Sequence, residues 1–137
     1  MTLELIVEAK TEKLDEVIDF IDAFLEGMDC PMKTMTQIDV AVEEIFVNIA
    51  HYAYGACEGD AKIRITNDNG IAEITFTDRG TPYDPLSRPD PDTTLSAEER
   101  QIGGLGIYIV KKTMDSVSYE YRDGCNVFTI RKTVKCS

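Results

Sequence analysis

One hundred and thirty-seven residues is a single domain's length, and a chain of that size buries roughly two-thirds of its unfolded surface without disulfides or metal. Its 43% hydrophobic and 28% charged residues are ordinary for a globular protein and exclude a disordered one. Fourteen basic against twenty-five acidic residues leave a formal charge of −11, which excludes a generic nucleic-acid binder, because phosphate contact needs clustered Lys and Arg.

Thr2 to Glu8 alternates Leu3, Leu5 and Val7 with mostly polar neighbours and predicts a strand. From Thr11 to Met28 the period changes: Leu14, Val17, Ile18, Ile21 and Leu25 form a helical stripe. Glu12, Asp15, Glu16, Asp19, Asp22 and Glu26 line its other side, read as a solvated face. Gly27 and the Cys30-Pro31 pair are expected to close this helix. A second helix is expected from Thr36, where Thr36-Gln37-Ile38-Asp39 is a variant of the capping box, to about Tyr54. Two strands, Lys62–Asn67 and Ile71–Thr77, flank an Asn69-Gly70 step that favours a tight hairpin. Residues 78–103 have little periodicity and make a long loop for so small a domain, the kind that usually carries function. A third helix from about Leu105 to Met114 and a hairpin, Val117–Arg122 and Asn126–Thr133, complete the chain. Strands in antiparallel pairs with helices between the pairs predict an α+β fold, a two-layer sandwich with a largely antiparallel mixed sheet covered on one face by helices.

Residues 1–60 hold three Lys and fourteen Asp/Glu, whereas residues 61–137 are neutral overall, so an anionic ligand is better tolerated by the second half. Cys30, Cys57, Cys125 and Cys136 form no CxxC pair, and with His51 the single histidine no zinc spacing exists. Free thiols and the lack of an 18-residue apolar run make a cytoplasmic protein without membrane contact the expectation.

Three clusters could carry chemistry. Glu44 and Asn48 stand at i, i+4 on the second helix, a spacing that equally fits a solvated face. Asp78-Arg79-Gly80 ends a strand, where a carboxylate can accept from an amine and a glycine lets a flat ligand approach, or where Asp simply caps a turn. Gly103-Gly104-Leu105-Gly106 precedes a helix and could offer N–H groups to an anion, or act as a hinge. Neither GxGxxG after a first strand nor GxxxxGK[ST] is present, so the dinucleotide fingerprint and the P-loop both fail.

In their order and spacing, Glu44-x-x-x-Asn48, Asp78-x-Gly80 and Gly103-Gly104-x-Gly106 resemble the N, G1 and G2 boxes of the GHKL (Bergerat-fold) ATPase superfamily. The stretch from Pro91 to Ser96, followed by Glu98-Glu99-Arg100-Gln101-Ile102-Gly103, is similar to its anti-sigma-factor serine/threonine kinases. The resemblance implies one ATP-binding domain over residues 1–137 with an ATP lid at about 84–103. It implies Asn48 as ligand of Mg²⁺, Glu44 as general base, and Asp78 with Gly80 as the adenine contact. Gly103, Gly104, Leu105 and Gly106 would carry the phosphates, Arg100 would reach the terminal phosphate, and Thr129 would help hold adenine. Two departures stand out: Tyr52 occupies the place where related kinases often have a His, and Glu43 precedes Glu44 where relatives often have a small residue.

The activity so implied is ATP- and Mg²⁺-dependent phosphorylation of a STAS-domain anti-anti-sigma protein. The same protein would bind a sigma factor, switch partners, and assemble as a homodimer. The alternative is a nucleotide-gated protein-binding module of the same fold with little kinase activity. A sensor histidine kinase module fits less well, since no helical hairpin with a phosphorylatable His precedes the nucleotide-site helix.

Overall fold

The computed structural model describes residues 1–54, 59–87 and 104–134. Strand β1 (Thr2–Glu8) leads through a 3₁₀ turn (Thr11–Lys13) into α1 (Leu14–Gly27) and α2 (Met32–Tyr52). Strands β2 (Asp60–Asp68) and β3 (Ile71–Asp78) follow, then a short 3₁₀ turn (Pro85–Ser87), α3 (Gly104–Thr113), β4 (Ser116–Arg122) and β5 (Cys125–Thr133). The five strands form one sheet in the order β1-β2-β3-β5-β4. All four pairings are antiparallel, so the expected two-layer α+β architecture holds with a purely antiparallel rather than mixed sheet.

Period-2 alternation decides which face is covered. Ile63 and Ile65 on β2, Ile74 and Phe76 on β3, and Ile130 on β5 point to the helices and are fully buried. They meet Ile21 and Leu25 of α1 and Ile38, Val42 and Phe46 of α2, each worth about 1.5–3 kcal/mol when removed from water. The opposite face is polar: Thr75 and Thr129 share a cross-strand hydrogen bond of 3.3 Å. Arg131 bridges Glu73 and Asp68 on the same face.

The helix ends differ from the sequence reading. Cys30 N–H donates to Leu25 C=O, and Asp29 takes the left-handed conformation, φ 57°, that ends α1 in a Schellman-type turn. Gly27 is instead the last helical residue. Helix α2 starts at Met32, four residues before the expected Thr36. Pro31, with extended φ and ψ, is its N-cap, and the Thr36 hydroxyl donates back to Met32 C=O within the helix instead of capping it. The Asn69-Gly70 hairpin forms as expected, both residues at positive φ (52° and 90°), and Asp123-Gly124 repeats the pattern between β4 and β5.

Candidate functional site

Where β3 runs out beneath α2, a concave space opens. Ile45, Asn48, Ile49 and Tyr52 of α2, with Ala53 just past its end, form one wall, and Phe76, Asp78, Asn126 and Phe128 form the sheet side. Tyr83, Pro85, Tyr119 and Ile107 of α3 complete it.

Asp78 is the last residue of β3 and only 5% exposed. Its Oδ1 accepts from Gly80 N–H at 2.9 Å and from Asn126 Nδ2 at 2.9 Å, so Oδ2 takes neither donor and is left for a ligand. Gly80 is required by close approach, for a Cβ there would lie 2.0 Å from the Ala53 carbonyl oxygen. Thr81 N–H donates to that same carbonyl at 2.7 Å, tying the turn to the end of α2. The Tyr54 hydroxyl reinforces the tie, accepting from Arg79 N–H at 2.9 Å and donating to Asp60 C=O.

One turn before Asn48, Glu44 on α2 is half-buried against Gly106 of α3. A Cβ on Gly106 would lie 2.0 Å from Glu44 Oε2, so α3 and this carboxylate are in close contact here. Burial, and then the charge of Glu43, push the Glu44 carboxyl above its usual range, as suits a proton acceptor. Asn48, one turn on, offers a hard amide oxygen at the pocket wall. That donor fits Mg²⁺, which commonly takes one or two protein oxygens and completes its shell with water and phosphate. Among the described residues no group of three or more His, Cys, Asp or Glu could hold a metal.

The structure brings Asn48 and Asp78 to one space, with Gly80 bonded to Asp78 beside it, and sets Glu44 against Gly106. Gly104 begins α3 and Leu105 follows it, while Arg100 and Gly103 lie outside the described residues. Thr129 is not brought to the pocket. Phe128 and Ile130 face the helices, so Thr129 between them faces the open side and meets Thr75. Asn126 is the residue that sequence reasoning missed. It stands opposite Asp78 in the β3–β5 register, and a polar residue two positions before Phe128, on the buried face, was the available signal. Tyr52 and Tyr83 stack across the pocket mouth at 6.0 Å, and exposed His51 meets Tyr52 edge-on at 6.1 Å.

Comparison with known proteins gives a family. The family model for the histidine kinase-like ATPase domain matches residues 7–132. An anti-sigma F factor of Halalkalibacterium halodurans is 27% identical over 118 residues, covering 85% of this chain and 80% of that protein. A serine-protein kinase RsbW of Listeria monocytogenes is 27% identical over 100 residues, covering 69% of this chain and 64% of that one. The serine/threonine-protein kinase BtrW of Bordetella bronchiseptica is 28% identical over 95 residues, covering 68% and 66%. The chain thus spans slightly under two-thirds of the length of the two kinases. A crystal structure of the RsbU and RsbW domains of a Mycobacterium tuberculosis protein superimposes with a TM-score of 0.68 at 12% identity, over 100% of this chain and 33% of that one, and shows the shared fold.

Proposed function

The chain belongs to the histidine kinase-like ATPase domain family, and on that premise we propose that it is a Mg²⁺-dependent serine/threonine protein kinase that regulates a sigma factor. Its substrate would be a STAS-type anti-anti-sigma protein. Relatives named anti-sigma F factor and serine-protein kinase support this reading. So does one observation above the rest: Asp78 and Asn48 line one pocket, and Glu44, whose carboxyl is pushed up by burial, stands one turn before Asn48 on α2 against Gly106 of α3.

Adenine would donate its amino group to Asp78, with Gly80 clearing the way for the flat base. The triphosphate would run toward Gly106 and the start of α3, where the helix N-terminus favours negative charge. Asn48 would hold Mg²⁺ through its amide oxygen, and the ion would neutralise phosphate charge. Glu44 would take the proton of the partner's hydroxyl as its oxygen bonds to the γ-phosphorus and ADP leaves. Arg100 and Gly103 belong to the proposed phosphate end. A homodimer is the proposed assembly, C2 pairs being the commonest.

Calorimetry with Mg²⁺-ATP on wild type and Asp78→Asn, followed by phosphotransfer to the partner with Glu44→Gln, tests the reading. Micromolar binding that falls at least a hundredfold in Asp78→Asn is expected, with phosphotransfer abolished in Glu44→Gln while ATP binding stays within a few-fold. Wild type that fails to bind ATP would refute it. Binding without phosphotransfer would leave the alternative, a nucleotide-gated binding module.

A further inference from the structure

Strand β1 is an outer strand of the sheet, and its register with β2 settles which of its backbone groups point outward. Asn67 N–H donates to Met1 C=O at 3.2 Å, and Ala9 N–H donates to Gly59 C=O at 2.9 Å. Both pairs continue the register that sets Thr2 against Thr66, so the odd-numbered residues of β1 bond to β2. In an antiparallel ladder the residues between them turn both backbone groups the other way. The N–H and C=O of Thr2, Glu4 and Ile6 therefore point outward, where no strand lies among the described residues. Glu8 differs, because its C=O accepts from Lys10 N–H.

Edges of this kind are usually blunted by proline, a bulge or an inward charge. From Thr2 to Glu8 the register is unbroken, and the inward residues are Leu3, Leu5 and Val7. Glu4 and Glu8 stand on the open face, bridged to Lys62 at 3.2 Å and to Lys10 at 2.9 Å. Between them Ile6 is 64% exposed. On the helix side, Met1 and Leu3 join Phe20, Ala23, Phe24 and Gly27 of α1 in lining an apolar groove. Asp22 of the same helix faces α2, so Phe20, Ala23 and Gly27 lie on the side of α1 turned from α2, above the free edge.

Charge selects the occupant. Glu16 continues the stripe of Phe20, Ala23 and Gly27, with Asp19 and Glu26 beside it, all three exposed. Helix α1 carries no basic residue, not even in its last turn, where the helix dipole is already negative. A second copy would bring the same acidic helix and a further −11 against this one. A basic segment is attracted throughout its approach.

We propose that the free edge of β1 and the groove beside α1 take an extended basic segment of a partner protein as a sixth strand. The segment adds antiparallel, with apolar residues turned to Phe20 and Ala23 and basic residues alternating on the open face beside Glu4. This surface goes beyond the kinase reading. It lies two strands away from β3, which carries Asp78, so a segment bound here leaves the nucleotide pocket clear.

The probe is a fluorescein-labelled peptide of about nine residues alternating valine and lysine, with blocked termini, followed by anisotropy. Wild type should bind it with a Kd of roughly 10–100 μM at low salt and about tenfold more weakly at 1 M salt. Opposite residues of an antiparallel pair share a face, so the lysine N–H groups meet Thr2, Glu4 and Ile6 while the valine N–H groups point away. N-methylation of the lysine nitrogens should therefore weaken binding by about tenfold or more, and of the valine nitrogens by less than about threefold. Ile6→Pro removes one outward N–H and spares the β2 ladder, and Ala23→Arg sets a cation in the groove. Each should weaken the peptide about tenfold and leave Mg²⁺-ATP binding within about twofold. Should Ile6→Pro fail to fold, the two methylated peptides decide the matter on wild type. Equal weakening by both methylation patterns, equal binding of a valine–glutamate peptide, or no binding by wild type overturns the proposal. So does a wild-type dimer in sedimentation that Ile6→Pro dissociates, because the edge then belongs to a second copy. No nucleotide enters the peptide assay, so its outcome is independent of the kinase reading.

Discussion

Asp78 and the pair Asp22–Asp39 are both carboxyl groups withdrawn from solvent, and the protein treats them in opposite ways. Asp78 receives two N–H donors from a turn and a strand. Asp22 on α1 and Asp39 on α2 face each other across the helix packing, and the Oδ1 atom of each is buried with no partner. Burial first, then the hydrogen bond and charge of Asp22, push Asp39 up to about 8. The difference follows from where backbone donors are free. In mid-helix every N–H is committed to the carbonyl four residues earlier, whereas the turn after β3 has N–H groups to spare. A buried carboxylate at a strand end can therefore be a ligand site, and a facing pair between helices becomes a shared proton.

Removing the donor side should have the largest effect. Gly80→Ala forces a Cβ to within 2.0 Å of the Ala53 carbonyl, which is backbone and cannot swing aside. The turn should give way, lowering stability by about 3 kcal/mol and Tm by roughly 10 °C, and weakening ATP binding as the Gly80 donor leaves Asp78. Thermal melting and calorimetry read both; an unchanged Tm would show the turn to be adaptable and Asp78 not dependent on it.

Asp39→Asn should sharpen the other side. A carboxyl whose folded pKa lies above its unfolded value of 3.8 favours the folded state fully below that value, and the contribution is lost as pH rises through about 8. Wild type should therefore lose on the order of 1 kcal/mol between pH 5 and pH 9, a figure kept small because both carboxyls retain some contact with solvent. Asp39→Asn should flatten that slope and melt a few degrees higher than wild type at pH 9. Parallel Tm–pH curves for the two proteins would remove the shared proton from the account.

The smallest effect concerns Cys30, whose thiol is pushed up by burial and by the charges of Asp39 and Asp22. In Asp39→Asn, alkylation of Cys30 at pH 8.5, followed at the peptide level by mass spectrometry, should quicken about two- to threefold, because only the thiolate reacts.

Much of this was legible in the sequence, and the exceptions share a cause. Alternation and the two Asx-Gly steps located every strand to within two residues at each end, because a strand's face is a local property. Glu44, Asn48, Asp78 and Gly106 could be singled out by motif spacing, and the structure sets Asn48 in one pocket with Asp78 and Glu44 against Gly106. The start of α2 was not, since both Pro31 and Thr36 can open a helix, and the choice depends on whether the Met32 turn packs. Thr129 was placed by resemblance, although Phe128 and Ile130 beside it already implied the opposite face. Asp22 read as one more solvated acid on α1. Only the crossing of α2 reveals Asp39 beside it, and no periodicity encodes a contact between two helices. Asn126 likewise gains its meaning from the register that sets β5 against β3.

That register has a consequence for biosynthesis. Asp78 and Asn126 are 48 residues apart, with α3 and β4 between them. A nascent chain emerged only through α3 already carries Glu44, Asn48, Asp78 and Gly80, but lacks Asn126, Phe128 and Tyr119. Its β2–β3 hairpin would still have one open edge where β5 belongs, because non-local pairing waits for the later segment to arrive. The pocket is thus completed by strands synthesised after α3, and a chain cut short before them has the chemistry of the site without its floor.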